Sequence, residues 1–458
     1  MKPIYLLLFT FLFSLSCSKD NNGSTQTDDD DDQNQTGFLG EIDWVKTFGG
    51  SSEDEAIDIL QADDGNYVIV GSTNSTDGDL VGRSGSDYDL WILKVSQTGD
   101  KVWSHTYGGS DTDRATSIAK TTDGGYIISG FTKSNDGDVS ENAGFYDYWI
   151  LKVDAQGNKQ WDKSFGFLGT DQAFKIITTN EGGYFITGYL DVTASEGEGN
   201  DVQENNNANR ETLHGLGEYW GIKLDANGNK IWRRYFGGTN NDRSYDVIQT
   251  ADNGFLLVGT AESLDVDISN PKGSYDFWAV KIDASGNMVW QKSYGGSEID
   301  NGWAITKTAD GNYLFIGDTR SEDQDVTNHK ENADCWVVKI NNSNGNIIWE
   351  KVYGGTHFDS ARSVSNLSNG NFVVSGNSRS VDGDITNPKG VNDAWVFIIN
   401  ESGNLVFQKS IGGSELDFAN DAIETSNNEI IVIGSSESND FDIPQNRGSK
   451  DLLITKIK

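Results

Sequence analysis

The sequence predicts an all-β, seven-bladed propeller with four antiparallel strands per blade, and three observations predict it. A unit recurs at near-constant period from residue 41 onward. Each copy divides into four short strands separated by turn residues. The first and last copies are fragments that add up to one blade.

The period is read from an aromatic or aliphatic residue followed by glycine. It falls at Phe48, Tyr107, Phe165, Phe236, Tyr294, Tyr353 and Ile411, with spacings of 59, 58, 71, 58, 59 and 58. In the second copy the strands fall at 115–121 (a), 126–132 (b), 148–153 (c) and 159–165 (d). Asp123-Gly124-Gly125 and Gln156-Gly157-Asn158 supply the positive φ that hairpin turns need. The first copy offers only a strand d at 44–48, and the last offers a, b and c, ending over 451–458. Joining the two closes the ring and removes the free sheet edges that would template aggregation. The 53 Gly, 4 Pro and 11% aromatic content suit short twisted strands and tight turns. Of 13 Trp, twelve sit at two repeat positions. These are Trp91, Trp149, Trp220, Trp278, Trp336 and Trp395 on strand c, and Trp44, Trp103, Trp161, Trp232, Trp290 and Trp349 on strand d. Large flat groups at fixed register fill the wedge between blades.

Ahead of the repeats, Lys2 precedes an apolar run from Ile4 to Phe13, too short to span a bilayer, and then Ser14-Leu15-Ser16-Cys17. Residues 1–16 read as a signal peptide. Residues 17–40, with the run Asp28 to Asp32, have a composition that cannot bury enough apolar area to fold and read as a tether. A coil of that length spans roughly 25–30 Å. The propeller takes 41–458. Cys17 and Cys335 are the only cysteines, so no intrachain disulfide is expected once Cys17 is lipidated; Cys335, beside Trp336, reads as a buried strand residue. The formal charge of -35 excludes nucleic acid as a partner and leaves cations or basic partners open.

Cys17 with Ser18-Lys19-Asp20 behind it resembles the lipoprotein signal and export tag of Bacteroidota surface lipoproteins. Repeat segments such as Asp225-Ala226-Asn227-Gly228-Asn229-Lys230-Ile231-Trp232 resemble the tryptophan-containing repeats of quinoprotein-like propellers. The resemblance implies a secreted, lipid-anchored propeller at the outer membrane, exposed at the cell surface. It implies no quinone, because those enzymes usually have eight blades and their cofactor residues find no match here; no cofactor is expected, apart from calcium considered below.

Strand alternation puts the tight a-to-b and c-to-d turns on one face and the longer b-to-c and d-to-a loops on the other, where binding belongs. That second face carries acidic pairs at Asp77/Asp79, Asp136/Asp138, Asp265/Asp267, Asp323/Asp325, Asp382/Asp384 and Asp440/Asp442. Two readings stand: calcium ligands, or turn residues capping their own backbone. The acidic row Asp54, Asp113, Asp171, Asp242, Asp300, Asp359 and Asp417 is the same in every copy and reads as turn structure. Copies differ in two places. The b-to-c loop of blade three, 190–217, is thirteen residues longer than its counterparts, with Arg210 and His214 near its end, and reads as a lid or an unstructured insertion. At the start of strand a the blades carry Ile57, Thr116, Phe174, Tyr245, Trp303, Arg362 and Asn420. Phe174, Tyr245, Trp303 and Arg362 form a candidate platform for stacking sugar rings or gripping a carboxylate, against repacking between blades as the other reading.

These features predict a monomeric, non-catalytic binding module for a glycan or a protein ligand. A structural subunit of an outer-membrane assembly is one alternative. A polysaccharide lyase using His357, Tyr245, Arg362 and His329 on a uronate is another, although no nucleophile motif, zinc spacing or phosphate loop accompanies it.

Overall fold

The computed structural model describes residues 38–201 and 214–458. Strands alternate with turns as the repeat demands, and they assemble into seven four-stranded antiparallel sheets. Numbering blades by their strand a, blade two consists of Asp113–Lys120, Tyr126–Thr132, Asp147–Val153 and Lys159–Phe165. Strand a thus begins two residues before the point the repeat suggests, which takes Asp113 into the strand.

Blade seven is closed by both ends of the propeller. Ile42–Phe48 pairs antiparallel with Asp451–Ile457, which pairs in turn with Ile430–Ser436 and Asp417–Glu424. Contacts begin ahead of residue 41: the Leu39 N–H donates to the Lys458 carbonyl at 3.0 Å, and Phe38 packs edge-on against Phe407 at 5.1 Å.

The core lies between blades. Each hydrophobic cluster draws on two neighbours, as where Phe185 and Tyr219 of blade three meet Leu257 and Trp278 of blade four. All six strand-c tryptophans are at most 1% exposed. Each buries on the order of 200 Å², worth about 5 kcal/mol of transfer free energy. The strand-d tryptophans pack against the same clusters from the outside. Strand b is buried from end to end in every blade but the second, where Phe131 is partly open, because it is covered on both faces. On the short-turn face, strand-c lysines reach the a-to-b turns: Lys152 to Asp123 at 3.0 Å, Lys281 to Asp252 at 3.0 Å, and Lys94 to Asp64 at 2.7 Å. Among the described residues no helix is long and apolar enough to cross a membrane.

Candidate functional site

Strand a is the innermost strand of each blade, and in every blade it carries a one-residue register shift. The breaks lie between Ala56/Asp58, Ala115/Ser117, Ala173/Lys175, Ser244/Asp246, Gly302/Ala304, Ala361/Ser363 and Ala419/Asp421. The extra residue at each β-bulge is Ile57, Thr116, Phe174, Tyr245, Trp303, Arg362 or Asn420, the seven positions where the blades differ. A bulge re-aims a side chain out of the pleat, and here all seven line one central cavity of about 610 Å³.

The bulge is held from behind by a glycine on strand b. A Cβ on Gly317 would stand 1.8 Å from the Asn301 carbonyl oxygen, and one on Gly71 1.8 Å from that of Glu55. The residue before each bulge is small and buried, from Ala56 to Ala419. Close approach of strands a and b is what pushes the bulged residue toward the axis.

Around this upper ring the side chains form a continuous wall over blades three to six. Phe174 and Tyr245 have ring centroids 4.9 Å apart, Tyr245 and Trp303 4.5 Å, with interplanar angles of 43° and 45°. The Arg362 guanidinium lies 4.0 Å over the Trp303 ring. Trp303 is the one tryptophan outside the blade-packing positions, and its Nε1–H donates to Asp318 Oδ1 at 2.8 Å. Asp318 also accepts from the Ser360 hydroxyl at 2.8 Å and from Asn301 Nδ2 at 3.1 Å. Burial pushes the Tyr245 hydroxyl above its ordinary range, so it keeps its proton at neutral pH. Asn420 Nδ2 donates to the Ala56 carbonyl at 2.7 Å and fixes the opposite side of the ring.

One residue further along each strand lies a second ring that sequence reasoning missed: Asp58, Ser117, Lys175, Asp246, Ala304, Ser363 and Asp421. Lys175 Nζ donates to Asp58 Oδ2 at 3.1 Å, and Asp246 and Asp421 also act on its charge. Backbone N–H groups of the next blade complete the acids, Ile118 to Asp58 at 2.9 Å and Ile305 to Asp246 at 2.9 Å. Asp421 accepts from the Ser363 hydroxyl and from the Ile59 N–H at 3.3 Å. Burial and the adjacent Asp58 push its carboxyl up to about 7. Burial also raises Asp58, but Lys175 and the Ile118 N–H outweigh it and hold Asp58 below the usual carboxylate range. The pair therefore carries one proton below neutral pH.

The acidic residues of the loops occupy turn positions. Asp54 accepts from the Gly50 N–H at 2.8 Å, the Ser75 hydroxyl at 2.7 Å and the Thr73 hydroxyl, and the same pattern recurs at Asp113 and Asp300. The pairs bind the d-to-a loop. Asp77 accepts from Ser51 N–H at 2.7 Å, Asp136 from Ser110 N–H at 2.7 Å and Asp382 from Thr356 N–H at 2.8 Å. Asp79, Asp138 and Asp384 accept from Gly49, Gly108 and Gly354 at 3.2, 3.3 and 3.0 Å. Among the described residues no group of three or more His, Cys, Asp or Glu is arranged to hold a metal ion.

Of the four residues considered for proton abstraction, Tyr245 and Arg362 meet in the cavity, while His357 and His329 are not part of its lining. His357 is exposed beside Thr356, and His329 Nε2 lies 3.0 Å from the Asn332 carbonyl. In the blade-three insertion the described limb runs outward. The Asp201 N–H donates to the Arg233 carbonyl on strand d at 3.1 Å, and Asp201 pairs with Lys230 at 2.7 Å. Trp220 Nε1–H donates to the Gly199 carbonyl at 2.9 Å, and His214 is buried 3.2 Å from Glu218. Arg210 and Cys17 lie outside the described residues. Cys335 is fully buried, as its apolar neighbourhood suggests, and burial raises its thiol.

No family model matches the chain. The regulatory protein FlaEY of Caulobacter vibrioides is 25% identical over 230 residues, covering 46% of this chain and 24% of the relative; the chain thus spans about a quarter of that protein's length. Among solved structures, BamB from Moraxella catarrhalis is similar over 90% of this chain and 85% of its own, at 14% identity and a TM-score of 0.37. Sqt1 from Chaetomium thermophilum is similar over 91% and 99%, at 10% identity and a TM-score of 0.45. Quinohemoprotein alcohol dehydrogenase from Comamonas testosteroni is similar over 91% and 76%, at 10% identity and a TM-score of 0.43.

Proposed function

We propose that this chain is a non-catalytic binding protein that receives a glycan or protein ligand at the loop-face mouth of its central channel, tethered to the outer membrane and facing outward through a lipid at Cys17. The observation that carries the reading is the broken symmetry of the upper ring. Structural demands repeat in every blade, and the bulge, its glycine and the capped turns do repeat. The side chains the bulges present do not, and blades three to six gather Phe174, Tyr245, Trp303 and Arg362 on one wall. Aromatic rings on a rigid scaffold give stacking area at low entropic cost.

The same geometry favours binding over proton abstraction. Tyr245 holds its proton at neutral pH, and neither His329 nor His357 joins the lining. Retention on immobilised polysaccharides and on membrane-protein extracts, compared between the protein and Trp303→Ala, tests the reading. Retention lost with Trp303→Ala, without new ultraviolet absorbance from unsaturated uronates, supports it. Retention indifferent to Trp303 refutes the channel as the site, and new absorbance refutes the non-catalytic role.

A further inference from the structure

We propose that the channel selects a sugar ring bearing a single carboxylate, with Arg362 as the seat of the anion and the Phe174–Tyr245–Trp303 wall as the seat of the ring face. The inference rests on the channel reading above and adds the chemistry of the ligand. Its starting point is an imbalance among the three cations of the cavity lining, of which Arg114 is paired with Glu55 at 2.8 Å. Lys175 is already neutralised, bonded to Asp58 and attracted by Asp246 and Asp421. An entering anion at that level meets three carboxyl groups and is repelled.

Arg362 is in the opposite state. Among the described residues no carboxylate or carbonyl hydrogen-bonds its guanidinium, which rests over Trp303 and lines the cavity. The nearby Asp318 attracts it through space but spends its own oxygens on the donors of Trp303, Ser360 and Asn301. A guanidinium held by stacking on one face, with its N–H groups unspent, is built to take a planar oxyanion two-pronged. The lower ring then decides which oxyanion. With Asp246, Asp58 and Asp421 one residue below, a phosphate dianion is repelled more strongly than a carboxylate, so a monoanion fits.

The rest of the ligand follows from the other walls. The three tilted rings make a curved apolar strip suited to the C–H face of a sugar. Across the channel stand Thr116 and Asn420, with Asp58 and Asp421 at the lower level, whose remaining lone pairs suit hydroxyl donors. An aryl carboxylate satisfies the strip and Arg362 but offers no hydroxyl to this side of the channel, so it makes fewer hydrogen bonds than a sugar.

Titration calorimetry of the protein with trigalacturonate and with its methyl ester separates the terms, because the ester keeps the ring and removes the charge. The acid is expected to bind, and both the ester and Arg362→Gln to weaken binding by about ten- to a hundredfold, the range for losing hydrogen bonds to a charged group. The ligand pair is compared on the unaltered protein, so a variant that folds poorly does not confound the result. An ester as tight as the acid, or Arg362→Gln without effect, overturns the anion seat; if Trp303→Ala still weakens both ligands, the channel reading survives. Binding of both with no dependence on Trp303 overturns both. Absence of binding by either sugar overturns the inference, as does preference for phenylacetate; sensitivity of phenylacetate to Trp303→Ala would then keep the channel as the site.

Discussion

Replacing Lys175 by Met removes the only ammonium from the lower ring while keeping its stem. At 3.1 Å, the Lys175–Asp58 pair is worth about 5 kcal/mol at an effective dielectric of 20 and about 1 kcal/mol at 80. The Lys175 side chain keeps 32% of its surface open to the channel interior and Asp58 9%, so the pair is neither dry nor fully solvated. A loss of about 2–3 kcal/mol follows. For a ring of this length the unfolding entropy is about 0.9 kcal/mol/K, so the melting temperature should fall by about 2–3 °C. The loss depends on pH with a definite sign. Asp58 is held below its unfolded range, so its stabilisation is present above about pH 4 and disappears as pH falls through the folded value. Lys175 itself is raised, so its share is lost only in strong alkali. Calorimetric scans of both proteins at pH 8, pH 4 and about pH 2 should therefore show a gap that persists to pH 4 and closes only below it, where Asp58 takes up a proton. A gap as wide at about pH 2 as at pH 8 would refute the electrostatic account of the ring.

Gly317→Ala places a Cβ 1.8 Å from the Asn301 carbonyl and 2.7 Å from the Phe277 ring, so a loss of about 3 kcal/mol or more is expected, read as a lower denaturant midpoint; an unchanged midpoint would show that the bulge does not need its glycine. Asp171 is pushed up to about 8 by burial, with Asp147 and Asp191 adding to the rise, so the folded state keeps a proton that the unfolded chain releases from about pH 4. Stability should consequently fall as pH rises from 4 to 8, and Asp171→Asn should make the fall shallower in denaturant titrations at the two pH values.

The strands, their turns and the closure of blade seven were legible because each rests on local chemistry: alternation, Gly and Asn at positive φ, and a repeat that counts itself. The upper ring was legible only as a set of unlike residues. Two-residue parity places Thr116 on the same side as Ile118 and so points it toward packing, but a bulge inserts one residue and breaks the parity at that point. The signal existed in Gly71, Gly130, Gly188, Gly259, Gly317, Gly376 and Gly434, since a glycine at a fixed place inside a buried strand marks a bulge or a close backbone approach. The lower ring was not legible because Asp58, Lys175, Asp246 and Asp421 read as ordinary polar strand residues unless a bulge is placed directly before each of them. His329 and His357 show a different limit. Strand direction fixes the face on which a loop emerges, whereas distance from the axis depends on how the loop folds back, and no local pattern encodes it.

The pairing of Ile42 with Ile457 also sets the order of assembly. The strand that completes blade seven is the first to be synthesised and the last to be used, and contacts such as Lys458 to Asp43 span 415 residues. Closing a chain loop of that length costs about 5 kcal/mol, against about 2 for a ten-residue hairpin, so the blades form locally and the ring shuts only when the final strand has emerged. A product stalled or clipped before Asp451 would retain six complete sheets and an idle strand carrying Trp44 and Phe48. Closure therefore ties the cover of the apolar edge to the presence of both end strands, and a chain lacking either leaves a sheet edge open to pairing with other chains.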